Sequence, residues 1–376
     1  MKKTLLHITK YYYPVDGGIE TVTKYLVDGL KSFNNYVVCF DEDGKTFTDT
    51  VDGIRVYRIA PFMRISSQDI AFSYSRYLRR IIYEIKPDII ILHCPNPFLY
   101  PITVSLKPQN TKLVLLWHSD IQGKGLLYRL VSGAEKRILR ASDLIIATSA
   151  NYIHPDSPIY RFKDKVEVVP NGIRDKDFEL CPADNERIEA IRRMYGNRKI
   201  IFFVGRHVKY KGINYLIEAE KYIKSDCVIL IGGRGPETKR LKRLNKSDRI
   251  CFIGKVSPSD LKCYYYASDI FGLASCSKQE AFGIALAEAM YCGCVPVTFT
   301  IEGSGVNWVS LKGETGEEVP LGDSRAYAAA IDRLLDNPEL YKRYSSAGKE
   351  RITQMFTCGR SIGMTETLLN RLLESE

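Results

Sequence analysis

The sequence predicts an α/β protein built from two successive doubly wound parallel sheets. Three observations carry that expectation. Short apolar, β-rich runs alternate with amphipathic stretches of helical length. Most of the runs are continuously apolar rather than alternating, the mark of strands covered on both faces. The alternation halts across a polar stretch, residues 173–198, and then begins again.

In the first half the predicted strands are Thr4–Ile8, Tyr36–Phe40, Ile54–Ile59, Ile89–His93, Lys112–His118, Leu144–Thr148 and Val166–Val169. Helices fall between them, as in Gly18–Lys31 and Ser73–Ile85. In the second half the strands are Lys199–Val204, Cys227–Gly232, Ile250–Ile253, Ile270–Leu273, Val295–Phe299 and Glu317–Val319. Their helices are Gly212–Lys224, Pro236–Leu244, Ser257–Ala267, Gly283–Cys292 and Ser324–Leu335. The division is therefore 1–172, a linker over 173–198, 199–358, and a closing helix over 359–376. Open sheets of this kind bind ligands outside the carboxyl ends of their strands.

Composition narrows the class. A chain of 376 residues is too long for one ordinary core, and 45% hydrophobic with 26% charged residues is globular. No run of about 18 apolar residues occurs, so no membrane-spanning helix is expected. Met1-Lys2-Lys3 leads straight into a strand, without a signal-peptide core, which points to the cytoplasm. The ten cysteines lie in apolar runs or at spacings unsuited to zinc, and read as buried thiols. Asp41-Glu42-Asp43 reads as a solvated acidic turn, and no metal or other cofactor is expected.

The net charge of +10 implies an anionic partner. Over residues 61–140 basic side chains outnumber acidic ones by 12 to five, with several on the aromatic, basic stretch Tyr74–Tyr83. Two readings stand side by side: a helix resting on an anionic membrane surface, or an ordinary helix with solvated arginines.

Four places carry chemistry. Gly17-Gly18 opens the first helix after the first strand, where paired glycines let backbone N–H groups approach an anion. Gly205-Arg206-His207-Val208-Lys209-Tyr210-Lys211-Gly212 follows the strand that begins the second domain. Arg206 offers a planar fork to phosphate oxygens and Lys211 a compact charge. Ser277–Met290 sets Glu280 before a helix entered through Phe282-Gly283-Ile284 and Glu288 inside it. Their carboxylates are acceptors suited to sugar and ribose hydroxyls. His118 ends a buried strand in Trp117-His118-Ser119-Asp120. Each has a plainer reading (a turn, a basic loop, a solvated helix face, a structural histidine), and their co-occurrence decides against it. His93 is a weaker candidate than His118, and His7 reads as core.

Together these motifs resemble the retaining family 4 glycosyltransferases across nearly the whole chain. The matching signatures are E-x7-E (Glu280, Glu288), P-x-x-G-G (Pro14, Gly17, Gly18) and G-R-x-x-x-x-K-G (Gly205 to Gly212). The G-x-G-P turn (Gly233, Gly235, Pro236), F-x-G (Phe252, Gly254) and the segment Val169-Pro170-Asn171-Gly172-Ile173, which resembles V-x-P-N-G, complete the set. The resemblance implies the GT-B fold, two Rossmann-like domains facing across a cleft, with the last helix crossing back to the first domain.

It also implies transfer of a hexose, with retention, from a UDP- or GDP-linked sugar. His118, Glu280, Arg206 and Lys211 would do the chemistry. Gly17, Gly18, Gly235, Gly254, Phe282, Gly283, Ile284 and Glu288 would hold the donor. The implied acceptor is a glycan or polyprenyl-linked sugar of a bacterial surface polysaccharide, O-antigen, capsule or exopolysaccharide, with the enzyme at the inner face of the membrane. The chain departs from the family at Gly303-Ser304-Gly305, where many relatives carry adjacent glycines. The rivals are a sugar-nucleotide epimerase, which would lack E-x7-E, and a non-enzymatic nucleotide- or nucleic-acid-binding module. No nucleic-acid motif is present, so nucleic acid is not the expected partner.

Overall fold

The computed structural model describes residues 2–15, 17–65, 68–121 and 126–374, without the side chains of Leu126, Leu127 and Leu130. Met1, the last two residues of the expected closing helix, Asp16 within the P-x-x-G-G stretch and Lys124 among the basic residues of 61–140 lie outside the described residues. The chain forms two units, Met1–Asn171 with Cys358–Glu376, and Gly172–Thr357.

The first unit holds β1 (Thr4–Ile8), β2 (Asn34–Phe40), β3 (Phe47–Val51), β4 (Ile54–Ile59), β5 (Met63–Ile65), β6 (Gln68–Ile70), β7 (Ile89–Cys94), β8 (Lys112–Trp117), β9 (Leu144–Ala147) and β10 (Val166–Val168). Its large sheet runs β10-β9-β8-β7-β1-β2-β4-β3, and β5 and β6 form a separate antiparallel pair. The central strands are parallel, and β7 is buried at every position, as its Ile-Ile-Ile-Leu run demands. Three strands, β3, β5 and β6, were not anticipated. β3 pairs antiparallel with β4 at the sheet edge, through a turn at Asp52-Gly53 where both residues have positive φ. That Asp-Gly pair is the hairpin signal in the sequence. Asp41 also departs from the solvated turn: it is buried and accepts the Lys45 backbone N–H at 2.8 Å.

Helices α1 (Gly18–Gly29), α2 (Tyr74–Ile85), α3 (Leu99–Leu106) and α4 (Leu126–Ala141) connect these strands. The second unit adds α5 (Pro182–Met194), α6 (Ile213–Glu220), α7 (Thr238–Leu244), α8 (Pro258–Ala267), α9 (Ile284–Tyr291), α10 (Val306–Val309), α11 (Ser324–Leu335) and α12 (Pro338–Met355). The closing helix α13 (Cys358–Glu374) belongs with the first unit. There Ile362 packs on α1 at Gly29, where a Cβ would lie 2.2 Å from Ile362 Cδ1. Ser361 Oγ donates to Pro170 O at 2.7 Å, and Arg371 pairs with Glu167.

The second sheet is parallel, in the order β13-β12-β11-β14-β15-β16. Its strands are β11 (Lys199–Val204), β12 (Cys227–Gly232), β13 (Ile250–Gly254), β14 (Ile270–Leu273), β15 (Val295–Phe299) and β16 (Glu317–Val319). The expected linker over 173–198 is not one. It starts the second unit and carries α5, whose Ile188 and Ile191 are buried in that unit's core. Arg187 pairs with Asp260 at 3.1 Å and Lys262 with Asp184 at 2.6 Å, fixing α5 to α8. The segment reads as polar because only a narrow i, i+3 stripe of α5 faces inward.

Candidate functional site

The loops leaving β11, β12 and β13 are knitted together by their backbones. Gly205 N–H donates to Gly232 O at 3.2 Å, His207 N–H to Arg234 O at 3.0 Å, Gly233 N–H to Gly254 O at 2.6 Å and Glu237 N–H to His207 O at 3.0 Å. Glycine is required in this weave at Gly233 and Gly235, where a Cβ would lie 1.9 Å from Gly205 O and 2.4 Å from His207 O, and beside it at Gly212, whose φ is +62° and whose Cβ would lie 1.8 Å from Ala274 O. His207 is structural. It is buried, with Nε2 at 3.2 Å from Gly232 O and Nδ1 at 2.9 Å from Thr238 Oγ1.

The weave delivers Lys211 to Glu280. Lys211 Nζ lies 2.5 Å from Glu280 Oε2, with only 13% and 9% of the two side chains exposed. Ser275 Oγ donates to the same carboxylate oxygen at 2.7 Å. Burial alone would depress the Lys211 pKa, but the Glu280 charge overrides it and the value is raised, so Lys211 is a cation. Cys276 N–H donates to Tyr210 O at 2.8 Å, tying the lysine loop to the segment after β14. Arg206 is exposed on the same loop, and exposed Arg234 lies near Gly254, where a Cβ would be 3.8 Å from its Nη2.

Beyond Glu280, Gly283 has φ +83° and caps α9. Its first-turn amides, beginning at Ile284, have no intrahelical acceptor. Phe282 is 2% exposed and its ring packs edge-on against Phe356 at 5.5 Å, so the part expected of it rests on the amides at the α9 entry and not on the ring. Glu288 accepts from Tyr265 Oη at 2.9 Å, and burial, with Asp177 adding to it, raises its pKa to about 7. The structure thus joins Lys211 with Glu280, while Glu288 has a separate partner in α8.

In the first unit the carboxyl ends of β1, β7 and β8 bring three histidines into a row. His118 Nε2 lies 3.0 Å from His93 Nδ1, and His93 Nε2 lies 3.4 Å from His7 Nδ1. His7 Nε2 lies 3.2 Å from Asn35 Oδ1. All three rings are buried, and burial lowers their pKa values, to about 3 for His118 and about 4 for His7. His118 is therefore a neutral imidazole. Asp120 is buried and accepts from Trp117 Nε1 at 2.8 Å and Ser157 Oγ at 2.9 Å, which fixes the turn after β8. Gly17 caps α1, and a Cβ on Gly18 would meet no described atom within 4 Å.

The comparisons with known proteins agree with this layout. The family described as "Glycosyltransferase Family 4" matches residues 16–177, and "Glycosyl transferases group 1" matches residues 184–351. The chain belongs to the family 4 glycosyltransferases. It is 28% identical to the O-antigen chain mannosyltransferase C of Escherichia coli, over 99% of both chains. It is also 28% identical to a D-rhamnosyltransferase of Pseudomonas aeruginosa, over 94% of this chain and 92% of that one.

The fold of this glycosyltransferase is GT-B, with two Rossmann-like units. Sucrose-phosphate synthase from Thermosynechococcus elongatus superposes with a TM-score of 0.82 at 20% identity, covering 100% of both chains. An Anabaena protein solved in complex with UDP-glucose gives 0.77 at 18% identity, covering 98% of this chain and 99% of that one. Among the described residues, no cluster of three or more His, Cys, Asp or Glu is placed to hold a metal ion, and no helix is long and apolar enough to cross a membrane.

Sequence reasoning missed two groups around the glycosyltransferase's site residues. Ser275, which holds Glu280, sits in a segment without a pattern of its own. His7 and His93 were each assessed alone. Their common position at the ends of apolar strands was the available signal.

Proposed function

We propose that this glycosyltransferase moves a hexose, with retention, from a nucleotide-diphosphate sugar to a glycan or polyprenyl-linked acceptor in bacterial surface polysaccharide synthesis. The observation that carries the proposal is the buried Lys211–Glu280 pair beside the capped start of α9. Lys211 and Arg206 meet the diphosphate, and the β11–β13 glycine weave, with Gly235 and Gly254, lets the donor approach the backbone. Glu280 and the amides from Phe282 to Ile284 orient the sugar, and Glu288, through the oxygen Tyr265 does not use, receives the ribose.

In the transfer step the bond from the anomeric carbon to the diphosphate oxygen breaks. The acceptor oxygen bonds to the same face of the sugar, and its proton passes to the departing phosphate. Positive groups prearranged around the diphosphate lower the barrier by about 3–4 kcal/mol each. Gly17 and Gly18 serve the donor diphosphate through their backbone N–H groups, and His118 serves the hexose. The space open at Gly18 fits such an approach, since no described contact requires glycine there.

The polysaccharide role rests on the O-antigen mannosyltransferase and rhamnosyltransferase relatives. A donor linked to UDP fits the neighbour that binds UDP-glucose, and GDP is the alternative. A membrane-surface role rests on chemistry in the first unit. Phe62 and Phe72 are 69% and 74% exposed with ring centroids 5.0 Å apart, and Arg76, Arg79 and Arg80 line the outer face of α2.

The test is transfer from UDP- and GDP-sugars to a lipid-linked acceptor, with the anomeric configuration of the product read by NMR. An inverted product, or hydride-dependent epimerisation of the free sugar nucleotide, defeats the proposal. Flotation with anionic vesicles tests the membrane arm. Binding should fall in Phe62→Ser/Phe72→Ser, and equal flotation of the variant removes that arm.

A further inference from the structure

The three buried histidines have a direction. We propose that Asn35, His7 and His93 are positioning residues that lock His118 with its proton on Nε2, leaving Nδ1 as a bare acceptor for a carbohydrate hydroxyl. The role given to the hydroxyl rests on the transferase reading above; the direction of the chain does not.

The argument starts at Asn35. Its Nδ2 lies 2.8 Å from Leu30 O and 3.4 Å from Phe33 O. Both are carbonyl acceptors, so the amide cannot be turned round, and Oδ1 faces His7. A carbonyl oxygen only accepts, so His7 Nε2 must carry the proton toward it. His7 is buried and neutral, so its Nδ1 is then bare. His93 must therefore donate to it from Nε2, which leaves His93 Nδ1 bare in turn. His118 then donates from Nε2 to His93 Nδ1. Each neutral ring passes the choice to the next, and the last atom set is His118 Nδ1.

One contact opposes this order. Thr23 Oγ1 lies 3.0 Å from His93 Nδ1 and 2.8 Å from Ile19 O. With its hydrogen on Ile19 O, the threonine would favour a proton on His93 Nδ1 and reverse the row. A hydroxyl rotates and an amide held by two carbonyls does not, so Thr23 yields: its hydrogen leaves Ile19 O and shares the single Nδ1 lone pair of His93 with His118 Nε2–H. The consequence is chemical. His118 is an acceptor for a donor's hydroxyl, and it is neither a cation for the diphosphate nor a proton source.

The experiment is long-range proton–nitrogen correlation NMR on the full chain labelled with 15N-histidine, five residues in all. Wild type should show His118 with unprotonated Nδ1 and protonated Nε2. Asn35→Leu should move the proton to His118 Nδ1, because Thr23 then sets the direction. His7→Phe, which keeps a ring in the space, should do the same and serves if Asn35→Leu does not fold. Thr23→Val should leave the wild-type pattern.

In the transfer assay, Asn35→Leu and His7→Phe should lose about tenfold in kcat/KM, the size of one neutral hydrogen bond, with affinity for UDP and GDP alone unchanged. A wild-type His118 protonated on Nδ1, or a pattern unmoved in folded Asn35→Leu and His7→Phe, overturns the relay. A pattern that moves with no change in transfer overturns the role of His118 and leaves the Lys211–Glu280 reading of the donor site standing.

Discussion

Replacing Lys211 by Met or Glu280 by Gln should destabilise the second unit, and replacing both should cost less than the sum. The side chains of this pair are 13% and 9% exposed and 2.5 Å apart, so each charge depends on the other for most of its solvation. Removing one member of such a pair costs about 3–5 kcal/mol, because the survivor is left buried and uncompensated. Among the described residues, Glu280 would keep the Ser275 hydroxyl as its carboxylate partner. Lys211, in the reverse case, would be left against Gly205 and the Tyr210 ring. The double variant strands neither charge, so the coupling energy should reach about 2–3 kcal/mol.

Urea unfolding followed through Trp308 measures this. Trp308 belongs to the second unit and packs on Phe356 at 5.2 Å. Trp117 is the other tryptophan, and a Trp117→Phe background silences the first unit, so the two units need not unfold together. Additive losses, or single variants within about 0.5 kcal/mol of wild type, would show that the charges are solvated separately and that Lys211 is not prearranged over Glu280.

Other consequences follow from the same geometry. Gly212→Ala should lower stability by at least about 3 kcal/mol, since its Cβ would collide with Ala274 O at 1.8 Å in a left-handed conformation; thermal unfolding reads it. Acid should weaken the first unit. His7 and His118 stay neutral when folded, with pKa values lowered to about 4 and 3, while the unfolded chain takes protons below its ordinary value of 6.5. The stability they contribute is complete above pH 6.5 and is lost as pH falls toward 4. Between pH 7 and 5 each accounts for about 2 kcal/mol, and His7→Phe should shrink the measured difference by that amount. Glu288→Gln should raise the melting temperature at pH 8, because its carboxyl, with a pKa near 7, is then a half-buried charge. The same change should weaken nucleotide-sugar binding, which calorimetry measures.

The strand pattern was readable because parallel strands covered on both faces leave long apolar runs, and β11, β12 and β14 fall where those runs predict. The segment carrying α5 was not, because a helix with a narrow inward stripe has the composition of a linker. Arg206 and Lys211 were legible as a spaced pair on a loop after a strand. Their neighbour Glu280 was legible as a motif residue, but its meeting with Lys211 was not. That contact depends on β14 lying beside β11, and strand order is a tertiary fact. The packing of Phe282 was not legible for a related reason, since its partner Phe356 is distant in sequence. The histidine row needed the order β8-β7-β1 to bring residues 7, 93 and 118 within reach.

The most direct test of the account is titration calorimetry of UDP- and GDP-hexoses on the wild type and on Lys211→Ala. The account predicts measurable affinity for at least one of these nucleotide sugars and a loss of at least about tenfold on removing the Lys211 charge, one charge-assisted contact to phosphate. Equal affinity in the two proteins, or no binding of any nucleotide sugar by the folded wild type, would contradict it.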